Sequence, residues 1–238
     1  MELTHQIIPA YAIAMILAFV SGFAVYCYNA RGMEKNSAHL IPILLAAFFG
    51  GIIGAKLPVI LMNLRFGLNW QTILAGRTIV GGRTIVGGLV GGTLGVLLIK
   101  KKLGIRARYG NLLAPPIALG MAVGRIGCLL SGCCFGTPTT LPWGVDFGDG
   151  IARHPTQLYE MIFCLIAFVL LQCARKTAPP GSLLTRFFLA YFIFRFFEEF
   201  IRPHTTVAGL TTFQWICLAG ILILTAKTSW MKKQEKTP

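Results

Sequence analysis

Seven stretches of this chain, at about 7–28, 40–62, 84–99, 112–132, 157–173, 187–202 and 207–226, are apolar over a length that matches a lipid bilayer. About 20 such residues cross a membrane as a helix, and with no water to satisfy its polar groups a spanning backbone must be helical or a closed barrel. The expected fold is therefore an all-α integral membrane protein of about seven transmembrane helices. Short loops make 1–238 one membrane domain, closed by a basic tail over 227–238. Composition agrees: 13% of the 238 residues are charged, against about 25% in soluble domains. Met1–His5 has no basic run ahead of the first span, so that span is read as retained rather than cleaved as a signal peptide. The third and fourth spans are rich in glycine and are expected to be partly broken.

An odd number of spans puts the termini on opposite sides. The connections on one side carry Arg31 and Lys35, then Lys100, Lys101, Lys102, Arg106 and Arg108, then Arg175, Lys176 and Arg186, and the tail adds Lys227, Lys232, Lys233 and Lys236. Cytoplasmic loops carry the excess of lysine and arginine. The C-terminus is thus expected in the cytoplasm and the N-terminus outside. Most of the net charge of +14 is topological and does not call for nucleic acid.

Lys56, Arg65, Arg77, Arg83, Arg125, Arg153, Arg195 and Arg202 are left over, in spans or on the outer side. A charge at membrane depth costs on the order of 3 kcal/mol and marks a site. Arginine is also the better group for gripping a phosphate through two hydrogen bonds. Asp146, Asp149, Glu160, Glu198 and Glu199 are the acids within reach, which leaves a positive surplus and points to an anionic phospholipid. Snorkelling and simple ion pairing are the competing explanations.

Four local patterns stand out. Gly124-Arg125-Ile126-Gly127-Cys128-Leu129-Leu130-Ser131-Gly132-Cys133-Cys134-Phe135-Gly136 sets a lone arginine in an apolar run and gathers three of the seven cysteines. Gly76–Gly81 is repeated as Gly82–Gly87, an arginine-bearing loop that runs into Gly87-Gly88-Leu89-Val90-Gly91-Gly92; such glycines suit close helix packing or an amide nest for an anion. His154-Pro155-Thr156-Gln157-Leu158-Tyr159-Glu160 opens the fifth span, with His154 at the water interface. Tyr191, Arg195, Glu199 and Arg202 fall at i, i+4, i+8 and i+11 and share one helical face, where Arg195–Glu199 and Glu199–Arg202 pairs can form. Glu198 lies off that face. Asp146 and Asp149 lack further ligands for a cation.

Together, Gly124–Gly127, His154–Glu160, the Tyr191/Arg195/Glu199/Arg202 stripe and Gly87–Gly91 resemble prolipoprotein diacylglyceryl transferase, a bacterial inner-membrane family, over roughly 10–226. The resemblance implies transfer of a diacylglyceryl group from phosphatidylglycerol to the thiol of a prolipoprotein cysteine, with release of glycerol phosphate. It implies that Arg125 and Arg195 hold the lipid phosphate, supported by Tyr191, Glu199 and Arg202, and that Arg83, Gly87, Gly88, Gln157 and Tyr159 belong to the substrate site. The chain departs from the family pattern in two places. Val86 stands where the family has a His-Gly-Gly histidine, and Cys128 with Ser131-Gly132-Cys133 stands where asparagine and Asn-Gly-Glu are usual.

With Val86 unable to take a proton, His154 and Glu199 are the candidate bases. Cys133 or Cys134 as a covalent nucleophile would instead make a related phospholipid-dependent transferase with a different acceptor. A non-catalytic lipid-binding protein is the third reading. No cofactor or metal is called for, and the expected partners are phosphatidylglycerol or a similar anionic phospholipid and a prolipoprotein or other acceptor.

Overall fold

The computed structural model describes residues 3–31, 40–65, 85–203, 206–207 and 209–235. Among these, seven long helices appear: α1 (Leu3–Ala30), α2 (Leu40–Arg65), α3 (Ile85–Lys102), α4 (Gly110–Leu130), α5 (Thr156–Ala174), α6 (Ser182–Glu198) and α7 (Thr212–Glu235). Ala10–Ala30 in α1, Leu40–Leu57 in α2, and all of α4 and α5 are long and apolar enough to cross a membrane. Their outward side chains, such as Phe19, Phe23, Ile53, Ile166 and Leu170, are large, apolar and exposed. Such a surface suits lipid tails.

The chain divides into two compact units, Met33–Ala107 and the combination of Met1–Gly32 with Arg108–Pro238. The first holds α2 and α3, which pack backbone to backbone. A Cβ on Gly54 would strike the backbone of Gly87 and Gly91, and one on Gly91 would strike Gly50 and Gly54. This is the small-residue contact that lets membrane helices approach closely. Gly87 and Gly88 both take part, Gly88 facing Gly51 and Ala55. Both Gly-rich spans are continuous helices, contrary to the expected breaks: the glycines of α3 are held by α2, and α4 runs through Pro115 and Pro116.

In the second unit α4 packs between α1 and α5 and touches α6, which packs on α7. Three glycines of α4 face α1, with Gly120 against Ala18, Gly124 against Met15 and Gly127 against Ala14. Arg125 therefore points to another side of the helix. Two short antiparallel hairpins complete the unit, β1 (Val145–Asp146) with β2 (Ala152–Arg153) and β3 (Thr206–Val207) with β4 (Leu210–Thr211).

The last helix starts at Thr212, later than the apolar run at 207 suggests. Thr211 is its cap: the Gln214 amide N–H donates to Thr211 Oγ1 at 3.2 Å, and the Thr211 amide N–H donates to Gln214 Oε1 at 2.8 Å. That reciprocal capping box satisfies two orphan donors at once and ends the hairpin where the helix begins.

Candidate active site

The C-terminal ends of α4 and α6 and the N-terminal ends of α5 and α7 come together, and the charged residues gather there. Glu160, wholly buried in the first turns of α5, is the hub. It pairs with Arg125 from α4, accepts a hydrogen bond from Tyr191 Oη of α6 at 2.8 Å, and lies 3.5 Å from Arg202 Nη2. Arg195 grips Glu198 at 2.7 Å and Glu199 at 2.6 Å. Glu199 also accepts from Thr211 Oγ1 at 3.0 Å, which ties the α7 cap into the network. Arg202 Nη2 reaches Glu198 at 3.4 Å.

Two expectations are corrected here. The three buried arginines meet three buried glutamates, so this cluster has no surplus of formal charge; the outer Arg153 is spoken for as well, by Asp149. Glu198 does not lie off the polar face. The α-helix stops at Glu198, Glu199–Ile201 form a 3₁₀ turn, and Arg202 is extended at φ −108°, ψ 143°. Pro203 is the physical reason, because a residue before proline is pushed out of the helical region. Glu198 follows Arg195 by three residues and precedes Arg202 by four, ordinary helical-neighbour spacings, so it pairs with both beside the Arg195–Glu199 pair.

The donors are not all used. Arg125 Nε and Arg202 Nε are buried with no hydrogen-bond acceptor, and Arg202 Nη2 meets Glu160 and Glu198 only at ion-pair distance. A buried N–H without a partner costs about 1–3 kcal/mol, more on a charged group. Such orphans mark where a ligand oxygen would be welcome.

The loop after α4 lies at this end, against the first turn of α5. Gly132, at φ +58°, ends the helix in a Schellman motif. Its amide donates to Leu129 O at 3.1 Å, and the next amide, of Cys133, donates to Cys128 O at 3.1 Å. That bond folds Cys133 back over Cys128. Cys134 follows at φ +66°, a conformation that costs a residue with a side chain about 1–3 kcal/mol. The first turn of α5 holds both carbonyls, with Thr156 Oγ1 donating to Cys134 O and Gln157 Nε2 donating to Cys133 O. The three thiol sulfurs of Cys128, Cys133 and Cys134 lie within 4.8 Å of one another, and Arg125 Nη1 is 3.9 Å from Cys128 Sγ. Hydrogen bonds from Cys128 and Cys133 lower the Cys134 thiol, with Arg125 and Arg202 acting in the same sense. Hydrogen bonds with Cys128 and Cys134, and then burial, raise the Cys133 thiol.

His154 and Tyr159 stand on the loop side. His154 Nδ1 is 3.3 Å from Tyr159 Oη, which accepts from Trp143 Nε1 at 2.9 Å. Asp146 accepts the amides of Gly148, Asp149 and Gly150, so its carboxylate shapes the hairpin. Gly87 and Gly88 lie in the other unit, with Val86 buried beside them, and Arg83 and most of the duplicated hexad fall outside the described residues. The residues missed by the candidate set are Glu160 and Glu198. Glu160 had a signal in the sequence: it is a lone carboxylate in an apolar span.

A helical bundle with lipid-facing sides and a buried cluster of paired charges at one end defines a multi-pass membrane protein. Residues 1–230 match the family model for prolipoprotein diacylglyceryl transferase. The chain is 33% identical over 232 residues to the phosphatidylglycerol–prolipoprotein diacylglyceryl transferase of Clostridium tetani, covering 93% of this chain and 92% of that protein. It is 30% identical to the corresponding enzyme of Geobacter sulfurreducens, covering 88% and 83%. It is likewise 30% identical to phosphatidylglycerol–prolipoprotein diacylglyceryl transferase 2 of Clostridium perfringens, covering 86% and 88%. The chain belongs to the prolipoprotein diacylglyceryl transferase family.

Proposed function

We propose that this protein transfers the diacylglyceryl group of phosphatidylglycerol to the cysteine thiol of a prolipoprotein, at the outer face of a bacterial cytoplasmic membrane, and releases glycerol phosphate. The carrying observation is the pair of buried guanidinium Nε donors, on Arg125 and Arg202, that have no hydrogen-bond acceptor. In this reaction the acceptor sulfur attacks the glyceryl carbon that bears the phosphate ester. The S–C bond forms, the C–O bond breaks, and its electron pair stays with the phosphate. Negative charge grows on the leaving group, so donors fixed in a dry site act on the transition state more than on the bound lipid.

Each arginine is held in place by a carboxylate, and that is the use of the three glutamates. Glu160 orients Arg125 with help from Tyr191. Glu198 and Glu199 orient Arg195. Glu199 is thereby a positioning residue: one oxygen faces Arg195 and the other accepts from Thr211. His154, outside these ion pairs, is left as the side chain for the thiol proton. The lysines and arginines of the α3–α4 and α5–α6 connections lie at the opposite ends of their helices from the sequence carrying the site, which favours an outward site by the positive-inside rule.

The test is purified protein in proteoliposomes containing phosphatidylglycerol labelled in its terminal glycerol, with and without a lipobox peptide. Labelled glycerol phosphate should appear only with the cysteine peptide. Release that is indifferent to the peptide, or no release, would defeat the assignment.

A further inference from the structure

We infer that Cys128, Cys133 and Cys134 form a three-thiolate site for a thiophilic metal ion of the zinc type, whose open position takes the acceptor thiol. This rests on the transfer reading above. The sulfurs lie within 4.8 Å of one another. Zinc–sulfur bonds of about 2.3 Å around a shared ion need sulfurs roughly 4 Å apart, so small rotations of the side chains close the set.

The thiols are not needed to hold the loop. It is fixed through backbone groups, by the Cys133 amide on Cys128 O and by Thr156 and Gln157 on the two carbonyls. Serine in place of each cysteine would leave all of those bonds intact. What the fixing achieves is convergence of three sulfurs, and it does so with Cys134 held at a positive φ.

The donor set selects the ion. Thiolates favour zinc and monovalent copper over hard cations. Among the described residues no fourth histidine, carboxylate or cysteine joins the group. Three protein ligands with a vacant fourth position is the arrangement of a zinc site that binds substrate. Cys134 is exposed and Cys128 and Cys133 are half-buried, so a peptide thiol has access. Three thiolates and a divalent ion sum to one negative charge, and Arg125 stands beside Cys128 to meet it.

The chemistry balances without an oxidant. The ion displaces the thiol protons of the three cysteines to water. A thiol entering the fourth position is deprotonated there and passes its proton to His154 or to water. The sulfur then forms its bond to the glyceryl carbon while the C–O electron pair leaves with glycerol phosphate. The resulting thioether is a poor ligand and departs. In this way the chain would activate the acceptor with no base at Val86.

The experiment uses the full-length protein, purified in detergent under reducing conditions without chelator. Metal content is measured per chain, and Co²⁺ is then exchanged in to read the thiolate charge-transfer and ligand-field bands. One metal per chain is expected, retained in Cys173→Ser and lost in the Cys128→Ser/Cys133→Ser/Cys134→Ser triple variant. The cobalt bands should shift with a lipobox cysteine peptide and not with its serine analogue. Reduced wild-type protein that takes up no Co²⁺, equal loading of the triple variant, or bands that ignore the cysteine peptide would overturn the inference, and these readouts need no turnover. Undiminished glycerol phosphate release from metal-stripped protein would also overturn it while leaving the transferase reading intact. A peptide-responsive cobalt site in a protein that never releases glycerol phosphate would do the reverse.

Discussion

Glu160 carries more of this site than its place in the sequence suggests. One carboxylate holds Arg125, accepts from Tyr191 and faces Arg202, and it is wholly buried. Removing one partner of a buried charge set leaves the others uncompensated, at about 3–5 kcal/mol. Glu160→Ala should therefore lower the thermal unfolding midpoint in detergent markedly and also abolish transfer. Tyr191→Phe removes one hydrogen bond and should cost about 1 kcal/mol, with activity reduced rather than lost. Scanning calorimetry beside a transfer assay reads both. Arg125 was legible in the sequence as a lone charge in an apolar run. Glu198 was passed over because the i, i+4, i+8, i+11 stripe leaves it out, although its spacing of three from Arg195 and four from Arg202 allows both pairs.

At the scale of elements, two devices position the chemistry. The capping box Thr211–Gln214 starts α7 and sends the Thr211 hydroxyl to Glu199. Thr211→Ala should cost about 1–2 kcal/mol through the lost cap and should reduce transfer as well, by releasing Glu199. Thr225, whose hydroxyl bonds only within the exposed side of α7, is the matched control, and Thr225→Ala should change neither stability nor rate. The glycine seam between α2 and α3 is the second device. Gly91→Leu would drive a side chain into the backbone of Gly50 and Gly54 and should prevent accumulation of folded protein, read as loss of the monodisperse peak on gel filtration. Gly104, with open space around it at φ +66°, should tolerate alanine with a penalty of about 1 kcal/mol. Spans and their approximate ends could be read from hydropathy. Helix continuity through the glycines could not, since it comes from the partner helix.

For the whole molecule, the charged cluster lies at the end where α4 finishes and α5 begins, and the proposed function requires that end to face away from the cytoplasm. On a background without exposed native cysteines, Trp143→Cys, in the exposed loop beside Tyr159, should react with a membrane-impermeant maleimide in intact cells. Lys176→Cys, at the far end of α5, should react only after the membrane is opened. The reverse labelling would place the site in the cytoplasm. The expected orientation rests on the distribution of lysine and arginine and is what this labelling tests; the pairing of three arginines with three glutamates was not legible in the sequence. A count of charges along the chain gives a surplus, whereas folding selects which charges meet.

The most direct measurement is the rate of glycerol phosphate release from phosphatidylglycerol by wild-type protein, Arg125→Ala, Arg202→Ala and Thr225→Ala in the same proteoliposomes. Loss of one fixed donor to a developing oxyanion costs about 10²–10³ in rate. Both arginine variants should fall by at least about 10², and Thr225→Ala should stay near wild type. An Arg125→Ala protein that still transfers at close to the wild-type rate would contradict the assignment of this cluster to the lipid phosphate.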